Sequence, residues 1–323
     1  IKPFNMKRKE FIKLASTSAL GISSLGYMSL QKPKELFFKL SLAQWSLHKN
    51  IKYGDMDPYE FAQVAKSFNF SGIEYVTALY DNVMKVRDGD MKKAITFWAR
   101  KNKKLAEIND IKNVLIMIDE IEGLAEENKS RRLKAVENHK MWIDAAEIMG
   151  CESVRLNLYG SSNAEKWKDL SVKSLSELGS YAKNSGVNVI VENHGRISSD
   201  IPKLMDVIYG VDMDNVGTLP DFGNFCMADE GYGSVFDGSC ETVYDFYKGV
   251  EEMMPKAFAV SAKSNDFDEN GDEKTIDYMR MMKIVKSFGY TGYVGVEYEG
   301  NRLSEEEGIK ATRDLLIKIG QTI

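Results

Sequence analysis

The 323 residues are 43% hydrophobic and 28% charged, an ordinary globular balance long enough for one large core or two modest domains. The net charge of −5 is uneven: five of the first thirty residues are basic and one acidic, so the remainder carries −9. A body that acidic is poorly suited to neutralising a phosphate backbone, which excludes nucleic acid as a partner, and three histidines are too few for a His-rich multi-zinc centre.

Three cysteines, Cys151, Cys226 and Cys240, are odd in number and widely spaced, so neither a disulfide framework nor a CxxC metal site is indicated. Met6 reads as the initiator, with residues 1–5 as upstream read-through. Lys7, Arg8 and Lys9 then precede a mild apolar stretch, 14–30, too short and too weakly hydrophobic for a membrane span. The run Arg8-Lys9-Glu10-Phe11-Ile12-Lys13 resembles a twin-arginine export signal in which Lys9 replaces the second arginine. The expectation is an exported, periplasmic protein of bacterial type, with signal and linker over 1–35 and no membrane span in the mature chain.

From residue 36 onward, short apolar runs alternate with longer amphipathic stretches. Strands are expected at 38–45, 72–77, 114–118, 153–158, 188–192, 216–221, 258–263 and 293–298, with helices including 58–68, 91–108, 130–149, 165–185 and 276–288. Eight strand–helix units without a Pro/Gly-rich divide predict an α/β fold, a single (β/α)₈ TIM barrel over 36–323. The alternative, a doubly wound open sheet, lacks the Gly-x-Gly-x-x-Gly of a dinucleotide site after its first strand. Residues 66–72 (Lys-Ser-Phe-Asn-Phe-Ser-Gly) are echoed at 286–292 (Lys-Ser-Phe-Gly-Tyr-Thr-Gly), both leading from a helix into a strand. Gly72 and Gly292 are expected to close these turns by tolerating positive φ.

A barrel's active site lies at the C-terminal ends of its strands. Polar residues there are Gln44, His48, Glu74, Arg155, Asn157, Glu192, His194, Asp221, Asn224, Ser261, Lys263, Glu297 and Glu299. Alternation puts Arg155 with Asn157, Glu192 with His194, Ser261 with Lys263, and Glu297 with Glu299 on common faces. Glu192, Asp221 and Glu297 each end an apolar run, where an isolated buried carboxylate is costly. Converging from three strands, they suit Mg²⁺ or Mn²⁺, or Zn²⁺ if His194 joins. The loop 227–240 is long enough to lid the pocket.

Glu192-Asn193-His194, Asp221-Phe222-Gly223-Asn224 and Gly295-Val296-Glu297-Tyr298-Glu299-Gly300 resemble the xylose isomerase-like TIM-barrel superfamily of sugar isomerases, epimerases, dehydratases and endonuclease IV. The resemblance implies a divalent metal held by Glu192, Asp221 and Glu297, with Glu192 and Glu297 also the acid/base pair. Substrate contacts are expected from the strand-end residues His194, Lys263, Arg155, Asn157 and Asn224. Two imidazoles of the family pattern are replaced: its strand-7 histidine by Ser261, and the last position of its Asp-x-x-His by Asn224. Endonuclease activity is disfavoured because its zinc site needs several histidines.

The expected function is isomerisation or epimerisation of a small-molecule sugar beside its carbonyl. The alternatives are a lyase or hydratase on 3-keto-glycosides, and a non-catalytic carbohydrate-binding barrel. A homo-oligomer is compatible with the sequence.

Overall fold

The computed structural model describes residues 34–86, 91–119, 121, 123–228 and 240–323. The export-like segment and most of the loop expected to lid the pocket lie outside the described residues. The barrel is the unit Leu36–Ile323. Its strands are β1 (Lys39–Ala43), β2 (Gly72–Val76), β3 (Lys112–Ile118), β4 (Ser153–Leu156), β5 (Asn188–Glu192), β6 (Val216–Leu219), β7 (Val260–Ser264) and β8 (Tyr293–Tyr298).

All pair in parallel, in the order β6-β5-β4-β3-β2-β1-β8-β7. β1 therefore meets β8, with Ser41 opposite Gly295. Between β6 and β7 the ring is completed by parallel bridges, Thr218 to Ala257 and Asp221 to Ser261. There the Ser261 amide donates to the Pro220 carbonyl at 3.0 Å. The expected TIM barrel is the fold found.

The strands are buried almost throughout, as both faces of a covered parallel sheet require. Helix Met91–Ile108 buries Ile95, Trp98, Ala99, Asn102 and Ala106, the spacing of one helical stripe. Trp98 meets Tyr75, Tyr80 and Trp142 edge-on at 5.2–5.7 Å between ring centres, so strand β2 and two helices share one aromatic knot. Several helices begin where Asn128, Asn163, Asp245, Asp277 or Ser304 accepts the amide three residues on. Among the described residues, no helix is long and apolar enough to cross a membrane.

Two expectations are corrected. In the echoed turns, positive φ falls on Asn69 (62°) and Gly289 (68°), not on Gly72 and Gly292. The latter two are glycine for space: a Cβ on Gly72 would lie 2.6 Å from Tyr293, and one on Gly292 would lie 2.6 Å from the Tyr290 hydroxyl. Cys226 and Cys240 form a disulfide, with Cys151 free and buried. The odd count concealed a pair because the fold returns the chain alongside the segment that follows β6, where Val243 bridges Cys226.

A Cβ on Gly289 would meet nothing within 4 Å, so the left-handed backbone is the whole cost of filling it. Gly289→Ala should destabilise the barrel by about 1 kcal/mol and Asn69→Gly should not, read from urea midpoints.

Candidate active site

The ends of β5, β6 and β8 bring Glu192, Asp221 and Glu297 together, with one carboxylate oxygen of each within 4.8 Å of the others. All three are buried, at 2%, 0% and 4% exposure. Asn193 fixes the β6 end: its Oδ1 accepts the Asp221 amide at 2.8 Å, and its Nδ2 donates to the carbonyls of Asp221 and Asn224. Asp221 Oδ1 in turn accepts the amides of Gly223 and Asn224 at 2.8 and 2.9 Å. Asn224 Nδ2 donates to Glu192 Oε1 at 2.9 Å, tying the β6 turn to the β5 carboxylate.

Arg155, on β4, is held in a fork by Asp119 at 2.7 and 3.2 Å. Its Nε lies 2.9 Å from Glu192 Oε2, an ion pair that misses hydrogen-bond alignment and leaves that oxygen without a donor among the described residues. Asn157 Nδ2 also donates to Asp119, while Asn157 Oδ1 has no donor among the described residues. Arg155 is thus an internal countercharge, and Asn157 keeps a free acceptor. On β7, Ser261 Oγ donates to Asp221 Oδ2 at 2.6 Å and lies 3.3 Å from Glu297 Oε2. Lys263 Nζ lies 3.3 Å from both Glu297 and Glu299. His194 Nδ1 is 2.8 Å from the Tyr159 hydroxyl.

Burial pushes Glu192 up to about 7, with Glu297 adding to the shift and Arg155 opposing it. Burial also raises Asp221 well above the usual carboxylate range, against the pull of Lys263. Lys263 is disfavoured as a cation by burial, but Asp221, Glu297, Glu299 and Glu192 outweigh this and hold its proton. Burial and then Arg155 lower His194 to about 4, so its ring is neutral near pH 7. Glu74 lies beneath, where Ser41 donates to one oxygen at 2.5 Å and the other has no donor among the described residues. Burial carries Glu74 up to about 8.

Three hard oxygen donors, an orphaned oxygen on Glu192 and more buried carboxylates than Arg155 and Lys263 can balance fit a divalent cation of the Mg²⁺ or Mn²⁺ kind. His194 stays outside that group of donors, which removes the nitrogen expected to favour Zn²⁺.

Asp119 and Tyr159 join the site beside the residues expected from sequence. Asp119 follows the apolar run of β3 and carries the same signal as Glu192, whereas nothing local marks Tyr159. Gln44 serves the framework, accepting the Val76 amide and donating to Tyr80 and the Pro58 carbonyl. His48 bonds the Trp45 carbonyl at 2.6 Å.

Residues 62–319 match the family described as "Xylose isomerase-like TIM barrel". The chain belongs to that family. This xylose isomerase-like barrel superimposes on an apo 3-keto-D-glucoside 4-epimerase from E. coli with a TM-score of 0.63 at 13% identity, covering 86% of this chain and 98% of the other. It also resembles the zinc-bound IolI protein, with a TM-score of 0.61 at 15% identity over 88% and 99% of the two chains. At these identities the likeness is one of fold. A short stretch is 39% identical over 54 residues to the C-glycoside deglycosidase alpha subunit of Arthrobacter globiformis, spanning 17% of this chain and 15% of that relative.

Glu74 binds a proton in the folded barrel up to about pH 8, whereas an unfolded glutamate releases it near 4.5. A raised carboxylate therefore stabilises less as pH rises from about 4.5 through 8. Glu74→Gln keeps the neutral shape, so its stability should match the parent's below about pH 4.5, gain on it progressively as pH rises to about 8 and level off above, measured by urea denaturation across that range.

Proposed function

We propose that this xylose isomerase-like barrel is a sugar isomerase or epimerase that moves a proton on a carbon beside a carbonyl. The observation that carries the reading is the pair Glu192 and Glu297, buried together at one site and met by different cations, Arg155 and Lys263. Glu297, countercharged by Lys263, takes the proton from the carbon. The bond electrons move onto the carbonyl oxygen, giving an enediolate. Glu192, poised near 7, returns a proton to carbon, from the opposite face in an epimerisation. Neutral His194 and the free Oδ1 of Asn157 orient sugar hydroxyls without adding charge.

Glu192, Asp221 and Glu297 would hold the divalent ion, which when bound supplies Lewis-acid polarisation of the substrate oxygens. A second reading, elimination from a 3-keto-glycoside, uses the same proton removal but expels an oxygen substituent from the next carbon. The short match to a C-glycoside deglycosidase subunit favours it.

Solvent deuterium exchange into 3-keto-glucose tests the common step. Exchange should require Mn²⁺ or Mg²⁺, stop on chelation, and fall by about 10²–10⁴ in Glu297→Gln. Ser261→His, which places an imidazole on the face that Ser261 shares with Asp221 and Glu297, should tighten Mn²⁺ binding in calorimetry. Exchange that survives Glu297→Gln at full rate would remove the acid/base assignment.

Export remains our reading of residues 6–30, and the Cys226–Cys240 disulfide supports it, since such bonds persist in oxidising compartments. Cell fractionation with sequencing of the mature N-terminus should place the processed protein in the periplasm. Cytoplasmic protein retaining Met6 would overturn this.

A further inference from the structure

Beside the mouth, at the same end of the barrel as the carboxylates, lies a recess of about 600 Å³ that the proton chemistry leaves unused. It is walled by the segments that follow β1 and β2, with Ala78 and Leu79 buried in its lining and Lys52, Tyr59 and Lys101 among its polar groups. That volume is in the range of small-molecule sites.

The distribution of unspent polar groups is lopsided. Lys52 Nζ sits 4.4 Å above the Trp45 ring and Lys101 Nζ sits 3.2 Å above the Tyr59 ring. Neither has a carboxylate partner among the described residues. The Tyr59 hydroxyl accepts from Asn82 at 3.3 Å, which leaves its own proton to donate. The two acids in the lining are engaged: Asp57 accepts the Tyr59 amide at 2.9 Å, and Asp81 pairs with Lys85 at 2.6 Å. The lining's two ammonium groups thus lack carboxylate partners among the described residues, while Asp81 is neutralised by Lys85 from outside the recess, on a chain that is otherwise acidic. Aromatic faces hold both lysines in place, which lowers the ordering cost of using them.

The recess adjoins the site through one ring. Trp45 lies beneath Lys52, and Lys263, with a smaller contribution from Trp45, holds the Glu299 carboxyl low against its burial.

We propose that this recess is an oxyanion subsite, in which Lys52, Lys101 and the Tyr59 hydroxyl receive a carboxylate or phosphate group against the apolar surface of Ala78 and Leu79. That the anion is a substituent of the sugar substrate rests on the sugar-enzyme reading above; the anion site itself does not. Its recognition is charge-assisted and partly solvent-exposed, so it weakens with salt.

The test is calorimetry at low ionic strength with D-glucuronate, inorganic phosphate and D-glucose, on the parent and on Lys52→Met/Lys101→Met. Both lysines are exposed, so the double variant is expected to fold, which circular dichroism checks. Glucuronate should bind the parent and lose about tenfold in the variant, with glucose binding both proteins equally. Binding of phosphate but not glucuronate, with the same loss in the variant, supports the subsite and assigns it to a free anion. Equal binding of both anions by parent and variant, or no binding by either, overturns the proposal. Deuterium exchange in 3-keto-glucose is read separately: if it is absent while glucuronate still depends on the two lysines, the proton-transfer reading fails and the subsite stands.

Discussion

A closed parallel barrel has no wet edge on which to leave a charge, and this one buries Glu74, Glu192, Asp221 and Glu297 near the C-terminal end of its strands. Two cations, Arg155 and Lys263, share that space, and both are committed: Arg155 to Asp119 and Glu192, Lys263 to Glu297 and Glu299. Isolated carboxylates in such surroundings carry a large desolvation cost. Burial, reinforced by the remaining excess of negative charge, raises the proton affinity of Glu74, Glu192 and Asp221. The polar brackets from Asn193, Asn224 and Ser261 can be understood as responses to that excess, each aiming donors at an oxygen that has lost water.

Ser261 shows how one short side chain changes such a site. The family pattern has an imidazole there, a neutral nitrogen donor directed at the same point as the carboxylates. A hydroxyl is too short to serve that role and instead donates to Asp221 while lying against Glu297. The donor set becomes all-oxygen, which moves its preference toward hard cations. His194 does not compensate, because its ring is engaged by Tyr159 outside the carboxylate group.

The polypeptide after β6 is braced from two directions. Asn224 reaches Glu192, and two residues later Cys226 joins Cys240. Ser199, beyond β5, donates to the Asn224 carbonyl at 2.7 Å. The position of the Glu192 carboxylate is thereby constrained through the Asn224 turn, which the disulfide and the Ser199 loop brace in turn.

Much of this was legible in one dimension. Short apolar runs alternating with amphipathic stretches specify β/α units, because a strand covered on both faces must be apolar and its covering helix must be striped. Glu192, Asp221 and Glu297 stood out because each ends such a run, and strand parity placed their side chains inward. Asp119 carried the same mark after β3 and was passed over, since its role as the clamp on Arg155 is visible only once β3 and β4 lie side by side. The same limit applies to Tyr159 against His194, to the Cys226–Cys240 bond and to positive φ at Asn69 rather than Gly72. Sequence alone determined which residues face the barrel axis and at which end the buried carboxylates gather, because those follow from local periodicity. Only the tertiary structure decided which cation answers which carboxylate and which atoms remain unpaired, because such partnerships depend on distances of a few ångströms between residues remote in the chain.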